Sequence, residues 1–251
     1  MSIKALTMQL FNVGTMGAQT HSSSSGAANL PGRKLGIILI LQLLTALTLP
    51  FILAKPITVG APAYLTAVAA HTWQVRAAVL LSFVGSALTV YLGITAFQVF
   101  WLHSKQVAVL FIVTCTISCT LDIVHAGTIL SMLAISKSFA VSGGPINDLY
   151  QVVAEAIFYA RRSAHATQLL AIGGWMFVFY IALLRFKLIP IALGGLGILG
   201  VSLQFIGVTM MMLLGYRAIG EMAMPLLPIH LSTAVWLIAK GLKNQTVESP
   251  G

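Results

Sequence analysis

Acidic side chains are scarce: five Asp and Glu stand against fourteen Lys and Arg in 251 residues, and charged residues are 8% of the chain. So few carboxylates leave none of the paired acids a glycosidase requires. A Ser/His/Asp order with a nucleophile-elbow glycine pattern is also missing. There are two cysteines, Cys115 and Cys119, both in one apolar block, which excludes a disulfide-stapled secreted domain. Four residues apart, they share a helix face but splay along it, so packed, reduced thiols are expected. Neither His-x-x-x-His nor Cys-x-x-Cys occurs. The run GGLGILG at 194–200 lacks a following lysine and lies inside an apolar block, which excludes a phosphate-cradling loop and points to close helix packing. The net charge of +9 comes from basic residues placed singly or in pairs at the edges of apolar blocks. Without basic runs interleaved with aromatics there is no track for a phosphate backbone, and nucleic acid is not an expected partner.

What fills the chain is apolar: 58% hydrophobic residues and a mean hydropathy of +0.96, the composition of an integral membrane protein. The blocks are long enough to cross a bilayer, which takes about 20 residues as a helix. They predict an all-α, polytopic bundle of six transmembrane helices at about 35–54, 77–101, 107–135, 166–184, 188–215 and 222–239. Residues 1–32, ending in HSSSSGAANLPG, are expected to be a flexible tail, because such a stretch buries too little apolar surface. Asn12, Gly14 and Thr15 interrupt the apolar core a signal peptide needs, so the tail is expected to be retained, with a short surface-lying helix. Residues 244–251 form a second tail, leaving 33–243 as the membrane domain. Lys55 and Pro56 are expected to close the first span, and HSKQ at 103–106 to turn the second and third into a tight hairpin. From Pro145, with Asn147 or Asp148 as cap, Leu149, Val152, Val153, Ala156, Ile157 and Ala160 mark one face of an amphipathic helix. This helix lies on the surface or runs into the fourth span. Glu155, Arg161, Arg162 and His165 are expected at headgroup level, wet. Counting by alternate sides puts eight basic residues with the termini and six opposite, a bias toward cytoplasmic termini.

The informative stretch is CTISCTLDIVHAGTIL, from Cys115 to Leu130. At 100° per residue, Cys115, Ser118, Cys119, Asp122 and His125 fall on one strip about a third of the circumference wide, which must face protein. An ionisable group in hydrocarbon costs at least about 2.5–3.5 kcal/mol, so Asp122 either has a partner or is protonated, with His125 the nearest partner. Depth counting places His125 and His230 within a few ångströms in height and Gln204 near the level of Asp122. Pro228 removes a backbone donor and is expected to leave the Met224 carbonyl unpaired. Asp122, His125, Gln204 and His230 therefore make a candidate buried binding layer. Three uses follow: interhelical hydrogen bonding alone, a metal or haem held by His125 and His230, or ion coupling at Asp122 in a secondary transporter. The first is the commonest use of such groups. The leading reading is a non-catalytic accessory, binding or small-solute membrane protein without a cofactor. Its partners would be the lipid bilayer and a second membrane protein or another copy of the chain.

The order of landmarks adds a resemblance. RKLGIILIL opens the first span, HSKQVAVLFIVTCTI follows the second, LLRFKLIPIALGGLGILG joins the fourth and fifth, and MPLLPIHLSTAVWLIAKGL ends the sixth. Together these resemble the bacterial six-span membrane family catalogued as domain of unknown function 4386, over roughly residues 33 to 243. The basic-then-Pro entry to the fifth span and Trp236, Lys240 and Gly241 carry most of the likeness. The resemblance implies a helical bundle in the bacterial inner membrane, brings no reaction, and departs at His230, near which the family pattern carries an acidic residue.

Overall fold

The computed structural model describes residues 30–143, 148–215 and 219–243, without the side chains of 50–55 and 219–220. The expected tails and the Asn147 cap lie outside these residues, except that Leu30–Gly32 are already helical. Eight helices are found among the described residues: α1 Leu30–Thr58, α2 Tyr64–Ala70, α3 Thr72–Trp101, α4 Lys105–Ser142, α5 Asp148–Arg185, α6 Ile191–Leu214, α7 Ile219–Ala223 and α8 Leu226–Lys240. No strand is present among them. Six stretches are long and apolar enough to cross a membrane: Leu30–Leu49, Thr72–Trp101, Lys105–Ser142, Asp148–Arg185, Ile191–Leu214 and Glu221–Lys240. This is the build of a multi-pass membrane protein.

Several boundaries differ from the sequence expectation. Pro31 sits in the first turn of α1, where its missing N–H removes no helical bond, so the helix starts at Leu30. At its other end α1 continues past Lys55 and Pro56 to Thr58. The amphipathic helix takes the second of its two expected courses and runs into the fourth span as one rod, α5, because no Gly or Pro separates Ala160 from Gln168. The sixth span is broken, and its break comes at Met224–Pro225 rather than Pro228. There Leu227 N donates to the Met224 carbonyl at 3.3 Å, so the carbonyl expected to be orphaned is used.

One end of the bundle gathers the start of α1, the α3–α4 turn, the α5–α6 turn and the end of α8. Ser104 caps α4, its hydroxyl accepting from Val107 N, and His103 stacks on Phe186 with ring centroids 4.8 Å apart. Lys243 N donates to Leu188 O at 2.9 Å. Gly36 lets α1 lie against α8, since a Cβ there would stand 2.6 Å from Ala234 O. We call this the Arg185 end. The opposite, Arg162 end is capped by α2, whose Leu65 carbonyl accepts from Ser136 Oγ and whose Tyr64 hydroxyl donates to Ala154 O at 3.1 Å.

Lipid is as apolar as leucine, so packing rather than solvent exclusion must join these helices. Two clusters do so. At the Arg185 end, Leu92, Phe100, Phe111, Trp175, Phe179 and Tyr180 form the heart of the larger one, with Phe100–Phe111 and Phe111–Phe179 centroids at 5.3 and 5.6 Å. At the Arg162 end, Tyr64, Val68, Val79, Ala126, Met132 and Ala154 form the smaller. Between them on α3, α4 and α5 lie residues 86–89, 118–125 and 161–168, where the polar side chains collect.

Candidate functional site

Asp122 stands where α3, α4 and α5 meet. Ser86 Oγ of α3 donates to Asp122 Oδ2 at 2.8 Å, and Gln168 Nε2 of α5 donates to Asp122 Oδ1 at 2.7 Å. With its amide nitrogen committed to the carboxylate, Gln168 has only its oxygen left to accept. The 3.0 Å contact between His165 Nδ1 and Gln168 Oε1 therefore assigns the hydrogen to Nδ1 of His165. The His165 ring lies 4.9 Å from that of His125, centroid to centroid. The result is a chain of contacts, Ser86–Asp122–Gln168–His165–His125, across three helices.

Three polar atoms of this layer are buried without a hydrogen-bond partner among the described residues: His125 Nε2, Arg161 Nε, and Oγ of Ser118, a side chain 1% exposed. Each such atom costs about 1–3 kcal/mol. No ion pair is formed at Asp122 among the described residues; both of its hydrogen bonds come from neutral groups. On α5, Gln168 is six residues from Arg162 and seventeen from Arg185, about 9 and 26 Å of helix rise. The layer thus lies near the Arg162 end, with the aromatic cluster filling the longer path to the other end.

The strip expected on α4 does face protein: Cys115 and Ser118 are buried, and Cys119, Asp122 and His125 are half-buried. Both cysteines are free thiols. His125 is not the partner of Asp122, however, because the two leave the same helix almost side by side and each turns to α5. Gln204 is at the expected level, but it serves the backbone, donating from Nε2 to Leu169 O at 3.0 Å. His165 is not wet; it is half-buried and bonded within the layer.

His230 is elsewhere. Its Nδ1 is 3.0 Å from Tyr180 Oη, and its ring is 6.2 Å from that of Trp175. Trp175 and Tyr180 are ten and fifteen residues beyond His165 on α5, about 15 and 22 Å of rise. His125 and His230 therefore cannot both come within the roughly 2 Å of one metal ion that ligation requires. The expected shared height fails because α4 and α5 run well past the counted span ends and the sixth span is broken. Among the described residues no three His, Cys, Asp or Glu side chains are grouped to hold a metal ion.

Around His230 lies a cavity of about 210 Å³ between α1, α5, α7 and α8, lined also by Gln42, Ala46, Ile172, Trp175 and Leu227. Gln42 donates from Nε2 to Thr89 Oγ1 at 2.7 Å. The glycines of 194–200 explain how Tyr180 reaches His230: a Cβ on Gly197 would stand 2.2 Å from the Tyr180 ring, so only glycine admits it.

Sequence reasoning missed Ser86, Gln168, Gln42 and Trp175. The signal for the two glutamines was the one that singled out Gln204, an isolated amide within an apolar block. No curated protein and no solved structure matches the chain at a significant level. The family model described as Domain of unknown function (DUF4386) matches residues 35–241, a stretch that holds both the Asp122 layer and the His230 cavity, and the chain belongs to that family.

Proposed function

We propose that this is a non-catalytic small-solute protein of the bacterial cytoplasmic membrane, with both termini inside, in which the Asp122 carboxyl carries the proton or small cation that accompanies the solute. The observation that carries the reading is the company Asp122 keeps. Two neutral donors hold it and no cation among the described residues is bonded to it, so a proton or small cation binds there without first breaking an ion pair. The unmet His125 Nε2 and Ser118 Oγ beside it leave polar capacity for an occupant. His165 and Gln168 reach toward the Arg162 end, whereas Phe100, Phe111 and Phe179 fill the opposite side, so exchange is expected from one face.

The test is modification by a hydrophobic carbodiimide, which attacks a protonated carboxyl in apolar surroundings. Wild type in lipid vesicles is expected to acquire an adduct at Asp122, found by peptide mapping, and Asp122→Asn none. Vesicles holding a pH dye then report proton movement on addition of small solutes, expected in wild type and absent in Asp122→Asn. An unmodified Asp122 from pH 5 to 8, or solute-driven proton movement that survives Asp122→Asn, overturns the reading.

A further inference from the structure

The cavity beside His230 meets the Asp122 layer through the bond from Gln42 to Thr89, three residues from Ser86 on α3, and its chemistry is different. Three of its lining side chains are polar and at least nine-tenths buried: Gln42 at 9% exposed, Trp175 at 4% and His230 at 5%. Among the described residues no carboxylate or permanent cation lines it. Gln42 is ten residues past α1's Gly32 and His230 ten short of α8's Lys240, which puts the cavity about 15 Å inside the Arg185 end, near the middle of a hydrocarbon layer about 30 Å thick. On its α1 wall Ala46 is exposed, so the opening faces the medium around a spanning helix, which is lipid.

Two lining residues carry atoms with unmet demands of opposite kinds. Thr89 Oγ1 gives its hydrogen to Gly85 O at 3.1 Å, so it must accept from Gln42, which fixes the amide with Nε2 toward Thr89. Gln42 Oε1 is left as a buried acceptor with no donor. Trp175 Nε1 is a buried donor with no acceptor, and indole nitrogen can do nothing but donate. Both atoms are packed into the wall of the cavity, and a hydroxyl is the smallest group that can answer them, donating to the amide or accepting from the indole as the side chain turns toward it. The remaining walls, Ala46, Ile172 and Leu227 among them, are apolar. A dry cavity of about 150 Å³ admits benzene, so about 210 Å³ takes a ring with a short substituent, or the head of a longer molecule whose tail stays in lipid.

We infer that this cavity is a binding site for an uncharged, lipid-soluble alcohol that enters from the bilayer and places its hydroxyl against the Gln42 amide, beside Trp175. Charge is excluded by depth and by lining. A bare hydrocarbon leaves both polar atoms unmet.

A pair of probes tests this: 4-bromobenzyl alcohol and 4-bromotoluene, which differ by the hydroxyl, with bromine quenching indole emission on contact. The protein is a variant with Trp73, Trp101 and Trp236 changed to Phe, reconstituted in lipid vesicles, so that Trp175 alone emits. The alcohol is expected to quench saturably, about ten-fold tighter than the hydrocarbon after correction for partitioning. Gln42→Leu is expected to erase that preference while the hydrocarbon still quenches. Ala46→Phe, on the lipid-facing wall, is expected to weaken both probes and serves if Gln42→Leu does not fold. Equal affinity for the two probes overturns the inference, as does quenching by the alcohol that rises linearly with its membrane concentration. Saturable preference unchanged by both variants overturns it too. None of these readouts involves Asp122, so this site and the proposed function stand or fall separately.

Discussion

The layer at Asp122 gathers a carboxylate, two imidazoles, an amide and two serines at the junction of α3, α4 and α5, while the cavity at His230 holds an imidazole, an amide and an indole against apolar walls. In the first, helices press together closely enough that polar groups mostly answer one another, so Asp122 takes two bonds and Gln168 links three residues. In the second, α1 and α5 stand apart beside the broken sixth span, and the helices leave a void with an acceptor and a donor unanswered beside it. The difference teaches that polarity within a membrane bundle has two uses, which packing separates. Close contact makes a network; a gap makes a pocket.

The sharpest way to break this contrast is to disturb one region and watch the other. Gly197→Ala drives a methyl into the Tyr180 ring and so pushes Tyr180 off His230. Overpacking of this kind costs about 1–3 kcal/mol, and a rigid ring has little room to yield, so a loss of about 3 kcal/mol is expected in mixed-micelle unfolding. Labelling of Asp122 should not change. Altered labelling would mean that cavity and layer form one unit.

Asp122→Ala comes next. It removes the acceptor for both Ser86 and Gln168, and leaving those donors unmet is expected to cost about 2 kcal/mol, with Asp122→Asn, which keeps one oxygen, costing about half as much. Tyr180, which Gly197→Ala disturbs, is twelve residues beyond Gln168 on α5, about 18 Å of helix rise, so combining Asp122→Ala with Gly197→Ala should give the sum of the single effects within about 0.5 kcal/mol. A larger departure measured in the same unfolding assay would contradict their independence.

The sequence makes the six spans and the protein-facing strip on α4 legible, since both depend on local periods: unbroken apolar length and 100° per residue. The level of Gln204 could also be counted, because α6 is an uninterrupted helix. What could not be counted was anything passing through a break or an overhang. His230 follows a helix break at Met224–Pro225, and His125 sits on a helix that continues seven residues past its expected end, so equal counts gave unequal heights. Partnership was illegible for a different reason. Asp122 and His125 are neighbours in sequence, but their bonds run to Ser86, Gln168 and His165, and which helix faces which is a tertiary fact.

A smaller effect sharpens the view that Gln204 belongs to neither region. Its Nε2 bonds the carbonyl of Leu169, a helical residue, and interhelical bonds of this sort average about 0.6 kcal/mol. Gln204→Leu is expected to cost about that much, with both the Asp122 adduct and the alcohol preference intact. Loss of either readout would place Gln204 inside the corresponding site.

The smallest effect concerns a buried polar group outside the spans altogether. Tyr64 on α2 donates to Ala154 O at 3.1 Å, and burial pushes its phenol up from the usual 10.0 to about 12. The folded state thus holds its proton more tightly than the unfolded chain does. That stabilisation is fully present below pH 10 and is lost as pH rises from 10 to about 12. Tyr64→Phe gives up one hydrogen bond, about 0.5 kcal/mol near neutral pH. In return its unfolding midpoint should fall less steeply than wild type between pH 10 and 12, so the two curves converge. Curves that stay parallel through that window would show that Tyr64 is no better shielded when folded than when unfolded, and that α2 is a looser cap than the packed layer beneath it.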